Sequence, residues 1–344
     1  MKFLKEIDSD RKFGMVDICK FIMAFVVIAI HTNPVVNCSN PIVIQGVIII
    51  EDWAVPFFFI ATGFFLFYNM ERPYSSHMQR IDKYLGRIVT LYCVWTFLSL
   101  PLTGYGYLQS GNSIIMCILS YIKYFLFVGK LYNSYHLWYL LAMIFAIIII
   151  RIMLKRNLKV RYIVIVAVSF YSLHEFMLYM TEHMQDSTGI LYRFVYLYEY
   201  VFNKGGIFTG MIYIVAGMII AQSRKYLNRW LAILGIVCIN FLKLYFNGAI
   251  EDYLKIVEAV LLFMVMISIE ICDRPIYIYL RKASTIIYLS HLILYSFYSF
   301  ILIKMPNKLG LDSFIVTSLL SLANAGLLIW LMRMEKFRWI KRIT

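Results

Sequence analysis

The stretch DICKFIMAFVVIAIHTN (17–33) is apolar enough for lipid, yet it carries a carboxylate and an amine near its start and a histidine near its end. Around it, the 344-residue chain is 62% hydrophobic and only 15% charged, whereas in soluble domains apolar residues make up about half. The chain therefore reads as an integral membrane protein. Apolar runs at 13–33, 42–68, 88–102, 136–150, 162–180, 205–221, 230–246, 253–271, 284–303 and 314–331 approach or exceed the roughly 20 residues that cross a hydrocarbon core of about 30 Å. A β-barrel is excluded, because its strands alternate polar and apolar residues in segments of about 10. The fold expected is all-α: a polytopic membrane helical bundle of about ten transmembrane helices, forming a single membrane domain over 1–344.

The net charge of +14 sits in short clusters between apolar spans rather than on one soluble face, which points to cytoplasmic membrane loops and away from nucleic acid. Lys2, Lys5, Arg11 and Lys12 precede the first span, Arg80, Lys83 and Arg87 follow the second, and Arg151 to Arg161 follow the fourth. Three further clusters are Arg224 to Arg229, Arg274 to Lys282 and Arg333 to Arg342. With ten spans all of them fall on the cytoplasmic side, as do both termini. The run 114–128 holds Lys123 in its middle, and counting it as a span would turn the rich Arg151–Arg161 loop outward. It is read instead as an interfacial helix on the outer face.

The start MKFLKEIDSDRKFG is too charged and too long for a cleaved signal, so the first helix is expected to stay as an anchor. The basic tail EKFRWIKRIT would suit a fusion point to a cytoplasmic domain after 344, and equally a natural end. Six cysteines show no CxxC or Cys/His spacing, so no metal site and no redox role is expected.

Lys20 and His31 are 11 residues apart and return to within about 20° of each other on a helix; Asp17 lies about 60° from Lys20. The three share a stripe that should face protein or water, because a charge at the bilayer centre costs at least about 2.5 kcal/mol. A plain alternative is an interface salt bridge of Asp17 with Lys20, with His31 an outer-interface donor. The functional reading is one wall of a polar cavity, with His31 as general base or relay.

The second span adds Glu51 and Asp52, then Pro56, then a Thr62–Gly63 notch, with Glu51 and Thr62 on one face. A proline kink with small-residue packing is its plain alternative. His136 and Trp138 open the fourth span, where an aromatic belt also accounts for Trp138. Lys204 and a glycine pair open the sixth, an arrangement whose free N–H groups can receive an anion. His291 lies in the ninth span and reads first as an interhelical hydrogen-bond partner. Glu258 and Lys243 are the most economical partners for each other.

These landmarks resemble the acyltransferase-3 family. DICKFIMAFVVIAIHT is similar to its first-helix signature, an Asp-x-x-Arg stretch followed 11 residues later by His, with Lys20 in the arginine position. WAVPFFFIATGFFL resembles its phenylalanine run ending in Ser-Gly-Phe, with Thr62 for the serine; YHLWYLLA and TIIYLSHLIL resemble two later motifs, in the expected order. Members move an acyl group from cytoplasmic acyl-CoA to an outer-face acceptor, often a cell-wall sugar or other polysaccharide. The resemblance implies His31 as base or acyl carrier, with Lys20 and Arg87 facing donor phosphates, in the bacterial plasma membrane. An ammonium at position 20 cannot reproduce the bidentate fork of a guanidinium.

Within the family, the VPFFF run after the outer acid pair, YHLWY and the entry to the sixth span look like the membrane domains of the vancomycin-resistance serine racemases. There a C-terminal cytoplasmic racemase domain holds pyridoxal phosphate, for which this chain shows no residues. Three functions follow. The first is supply of L-serine, a zwitterion whose ammonium needs an acidic group and whose carboxylate needs a helix N-terminus or a base, parts that Glu51, Asp52 and His31 can supply. The second is acyl transfer, and the third a membrane tether. The likeness, the lysine at position 20 and the basic tail rank serine supply first; a homodimer is left open.

Overall fold

The computed structural model describes residues 4–7, 11–71, 73–183, 189–202, 206–246, 248–342 and 344. Thirteen α-helices dominate these residues: α1 Gly14–Thr32, α2 Pro41–Phe67, α3 Met78–Leu98, α4 Leu100–Gln109, α5 Ile114–Lys123, α6 Trp138–Lys155 and α7 Val160–His183. There follow α8 Ile190–Phe202, α9 Gly210–Ser223, α10 Arg229–Lys243, α11 Ala249–Ser268, α12 Ile276–Ser296 and α13 Leu311–Leu331. Two short strands, β1 Leu4–Glu6 and β2 Lys225–Leu227, pair antiparallel.

Among the described residues seven helices are long and apolar enough to cross a membrane, or eight if α3 and α4, bent by 55°, form one span. The protein is a multi-pass membrane bundle. The expected count of ten is not reached on these grounds, for physical reasons. Helix α10 has only 15 residues, and α11 carries Glu251, Asp252, Lys255 and Glu258. The expected span 88–102 also begins earlier, because Arg80, Asp82, Lys83 and Arg87 belong to the first turns of α3 rather than to a loop. Helix α5 has no buried residue and exposes Ile114, Ile115, Ile118 and Leu119.

Local chemistry sets the helix ends. Asn33 closes α1 in the left-handed conformation, φ 42°, its N–H donating to the Ala29 carbonyl, and Pro34 cannot extend the helix. Asn40 caps α2 by accepting the Ile42 N–H at 3.0 Å, with Pro41 at the first helical position. Helix α2 runs on through Pro56 to Phe67.

Helices in lipid gain little from hiding apolar surface from one another, so small residues that let backbones approach become the main device. Here α2 and α9 use it reciprocally. A Cβ on Gly63 would lie 2.0 Å from the Ile214 carbonyl oxygen, and one on Gly217 would lie 2.0 Å from that of Ile60. The Gly63 notch thus serves packing. Helix α12 lies beside α1, with Ala24, Ile28, Ala283, Ile286 and Ile287 in a cluster that continues to Ala325 of α13. One buried polar knot joins α2, α10 and α11. Glu258, with no exposed surface, accepts from Trp53 at 2.9 Å, Asn240 at 2.7 Å and Lys243 at 3.1 Å.

The start of α1, the end of α2, the starts of α3 and α12 and the end of α6 gather at one end of the bundle. Arg80, Lys83, Arg87, Arg151 and Arg281 make it the basic end. His31 and the start of α6 lie toward the other, here the far end.

Candidate functional site

A cavity of about 550 Å³ opens among α1, α2, α3, α6 and α12. Its lining includes Lys20, Arg80, Lys83, Arg87 and Arg281 and no Asp or Glu. Four of the five cations are held by the fold. Arg80 donates to the Phe65 and Tyr68 carbonyls, at 2.7 and 3.1 Å, where the last turn of α2 leaves acceptors open. Arg87 donates to the Thr344 carbonyl at 2.9 Å. The Lys20 ammonium lies 4.5 Å from the centroid of the Phe65 ring. The Phe65 and Tyr68 carbonyls and the Phe65 ring carry no net charge, so they do not cancel the positive charge of Arg80 and Lys20.

Arg281 is the exception. Its guanidinium grips Asp17 with two bonds, Nε to Oδ1 at 2.8 Å and Nη2 to Oδ2 at 2.6 Å, and Asp17 is 2% exposed. The salt bridge entertained between Asp17 and Lys20 is therefore replaced by one to α12. The planar fork of arginine matches both carboxylate oxygens, which an ammonium cannot do. Lys20 is left to the cavity.

Deeper in, the lining turns to hydroxyls and rings: Thr62, Tyr84, Tyr139 and Tyr288, with Tyr84 donating to Thr62 at 3.4 Å. Behind Tyr288 stand three histidines. His31 stacks on His291 with ring centroids 5.2 Å apart and planes 12° apart, and His136 meets His291 edge-on at 4.9 Å. Tyr135 closes on His31 at 4.9 Å. The Tyr288 hydroxyl donates to the His136 carbonyl at 2.6 Å.

Backbone carbonyls fix the tautomers, because a carbonyl can only accept. His291 Nδ1, 2.6 Å from the Tyr288 carbonyl, must carry the proton, as must His136 Nε2, 3.1 Å from the Leu289 carbonyl. The other nitrogens, His291 Nε2 and His136 Nδ1, are then bare lone pairs, buried and without a partner among the described residues. Two such acceptors beside His31 make a site for a hydroxyl or amine proton. The rings stack rather than converge, and no group of three potential ligands among the described residues is placed to hold a metal ion.

Of the residues singled out in the sequence, Lys20, Thr62 and Arg87 line the cavity, and His31, His136 and His291 form the cluster behind it. Asp17 anchors Arg281. His31 is not in the cavity wall, so the stripe of Asp17, Lys20 and His31 does not face one chamber. Asp52 turns to Lys243 and Lys255, at 3.5 and 3.8 Å. Glu51 shares a face with Thr62, but 11 residues of helix put about 16 Å between them, beyond the cavity. Asp52 is thus engaged by two ammonium groups, and neither it nor Glu51 makes an ion pair with His31 among the described residues. Trp138 faces a different cavity, and Lys204 lies outside the described residues.

Sequence reasoning passed over Arg80, Lys83 and Arg281, read as loop charges, and Tyr139 and Tyr288. A signal existed for the tyrosines: each lies within three residues of a singled-out histidine.

Residues 14–332 match the acyltransferase-3 family, described as an acyltransferase domain. The chain belongs to this family. It is also similar to curated proteins. One, named amino-acid racemase, from Enterococcus faecalis, is 28% identical over 239 residues, 68% of this chain and 32% of the relative. A second of the same name and organism is 33% identical over 141 residues, 41% of this chain and 19% of the relative. The matched part thus spans at most a third of these relatives. No solved structure matches the chain.

Proposed function

We propose that this acyltransferase-3 domain transfers an acyl group from a polyanionic cytoplasmic donor of the acyl-CoA type to a hydroxyl on the outer face. The observation that carries this reading is the cavity with five cations and no carboxylate in its lining. A serine zwitterion has one negative group to offer such a field, whereas an acyl-CoA has several phosphate charges. Lys20, Lys83 and Arg87 bind phosphate, and the apolar stretch formed by Leu140, Met143 and Leu289 takes the acyl arm. The acyl end passes Tyr139 and Tyr288 to reach His31. There the acceptor oxygen bonds to the acyl carbon as the C–S bond breaks. The hydroxyl proton passes to the imidazole and on to the departing sulfur.

The test is acetyl-CoA cleavage by the protein in proteoliposomes. Loss of the imidazole in His31→Ala should lower kcat by about 10²-fold or more, the usual worth of general base catalysis. Lys20→Met should raise KM about tenfold with kcat held, since a charge-assisted contact is worth about 1.5–3 kcal/mol. Cleavage indifferent to His31→Ala overturns the reading.

A second reading, supply of L-serine to a racemase domain, is favoured by the names of the curated relatives. In it, racemisation and its pyridoxal phosphate belong to the part of those relatives that this chain does not match. Serine uptake that requires this domain, and that survives where acetyl-CoA cleavage is absent, would put it first. Uptake unchanged without the domain would leave a tether.

A further inference from the structure

Against a different stretch of α2, at Val55, Pro56 and Phe59, lies a second cavity, of about 320 Å³, which shares no lining residue with the first. Its chemistry is reversed. Glu175 of α7 and Asp252 of α11 face it, among the rings of Phe59, Trp138, Tyr171 and Tyr213. His174 completes the polar side. His174 and Glu175 are each only 8% exposed, and His174 Nδ1 has no hydrogen-bond partner among the described residues. The acyl-transfer reading uses none of these groups.

Glu175 and Asp252 crowd each other, carboxyl beside carboxyl, with the Tyr171 hydroxyl bonded to Glu175. Asp252 is countered by Lys255 at 3.1 Å, an ammonium that also serves Glu251 at 3.1 Å and Asp52 at 3.8 Å. For Glu175 no ion pair exists among the described residues. Lys130 approaches Trp138, its ammonium 5.9 Å from the ring centroid. Two neighbouring carboxyl groups among aromatic rings favour a cation as occupant, because it relieves their mutual repulsion. Ring faces add attraction for an organic ammonium, and the unpartnered His174 Nδ1, in the tautomer with the proton on Nε2, accepts one of its N–H groups. A bare metal ion fits poorly, since no three-ligand group is formed among the described residues. The volume lies at the lower end of the range for small-molecule sites, about 300–1,000 Å³.

We propose that this second cavity binds a small molecule through a primary ammonium group, held between Glu175 and His174 against the rings of Trp138 and Tyr171. The proposal stands apart from the acyl-donor reading, because the two cavities have separate linings.

The test is equilibrium binding of radiolabelled ethanolamine to the whole chain in lipid nanodiscs, with ethylene glycol, its neutral analogue, as competitor. Saturable ethanolamine binding that ethylene glycol does not displace is expected. Glu175→Gln should weaken it at least tenfold. Because a buried carboxylate can also matter for folding, Leu178→Trp provides a second route: it fills the cavity from an uncharged wall residue and should abolish binding in protein that remains monodisperse. L-Serine should compete, since it carries the same ammonium. Absence of saturable binding, equal displacement by ethylene glycol, or affinity untouched by both variants overturns the proposal.

Discussion

Asp17 and Arg281 show how one residue's partner decides its neighbour's role. The buried carboxylate is satisfied from α12, so Lys20, one turn on, points its charge into the cavity instead. Removing the two partners should differ in cost. Arg281→Met strands a 2%-exposed carboxylate and should lower stability by about 3 kcal/mol or more. Asp17→Asn keeps a hydrogen-bonding group opposite a guanidinium that reaches water, and should cost about 2 kcal/mol. Thermal unfolding of the two variants in one detergent checks the order. This pairing was not legible in the sequence, because 264 residues separate the partners. What the sequence did disclose was that Asp17, Lys20 and His31 avoid lipid, a statement about helix period alone.

At the scale of elements, the crossing of α2 and α9 is the tightest constraint described. Gly63→Ala and Gly217→Ala each drive a methyl group into a backbone oxygen, so each should destabilise by about 2–3 kcal/mol, at the upper end of overpacking costs. Gly46 lies on the same helix α2, where an added methyl group would meet nothing within 4 Å. It serves as the control: Gly46→Ala should be neutral or mildly stabilising. Equal losses at all three positions would refute the close approach. Segment existence was readable from apolar run length, and most expected spans correspond to helices. The boundaries were not. Charged residues such as Arg80 and Asp82 continue a helix as readily as they end one, so the start of α3 escaped a reading based on hydropathy. The histidine cluster was half legible. His31, His136 and His291 could each be picked out, but only the packing of α12 beside α1 and the start of α6 stacks their rings.

For the whole molecule, basic residues collected at one end and the positive-inside bias together give an orientation that can be measured. Cys272 follows α11 at the basic end, and Cys38 follows α1 at the far end. In single-cysteine variants, a membrane-impermeant maleimide added outside intact cells should label Cys38, whereas Cys272 should react only after permeabilisation. The reverse pattern would invert the bundle and place the cationic cavity outside, away from any cytoplasmic donor.

Adjacent residues on two helices serve different cavities. Phe58 and Tyr139 line the cationic cavity, while Phe59 and Trp138 line the acidic one. Between them the partition is the contact of Phe59 with Tyr139, ring centroids 4.4 Å apart. Along this line one aromatic contact, not a whole helix, separates the two linings. Shaving both rings to alanine should let protons leak through proteoliposomes that the parent protein keeps tight.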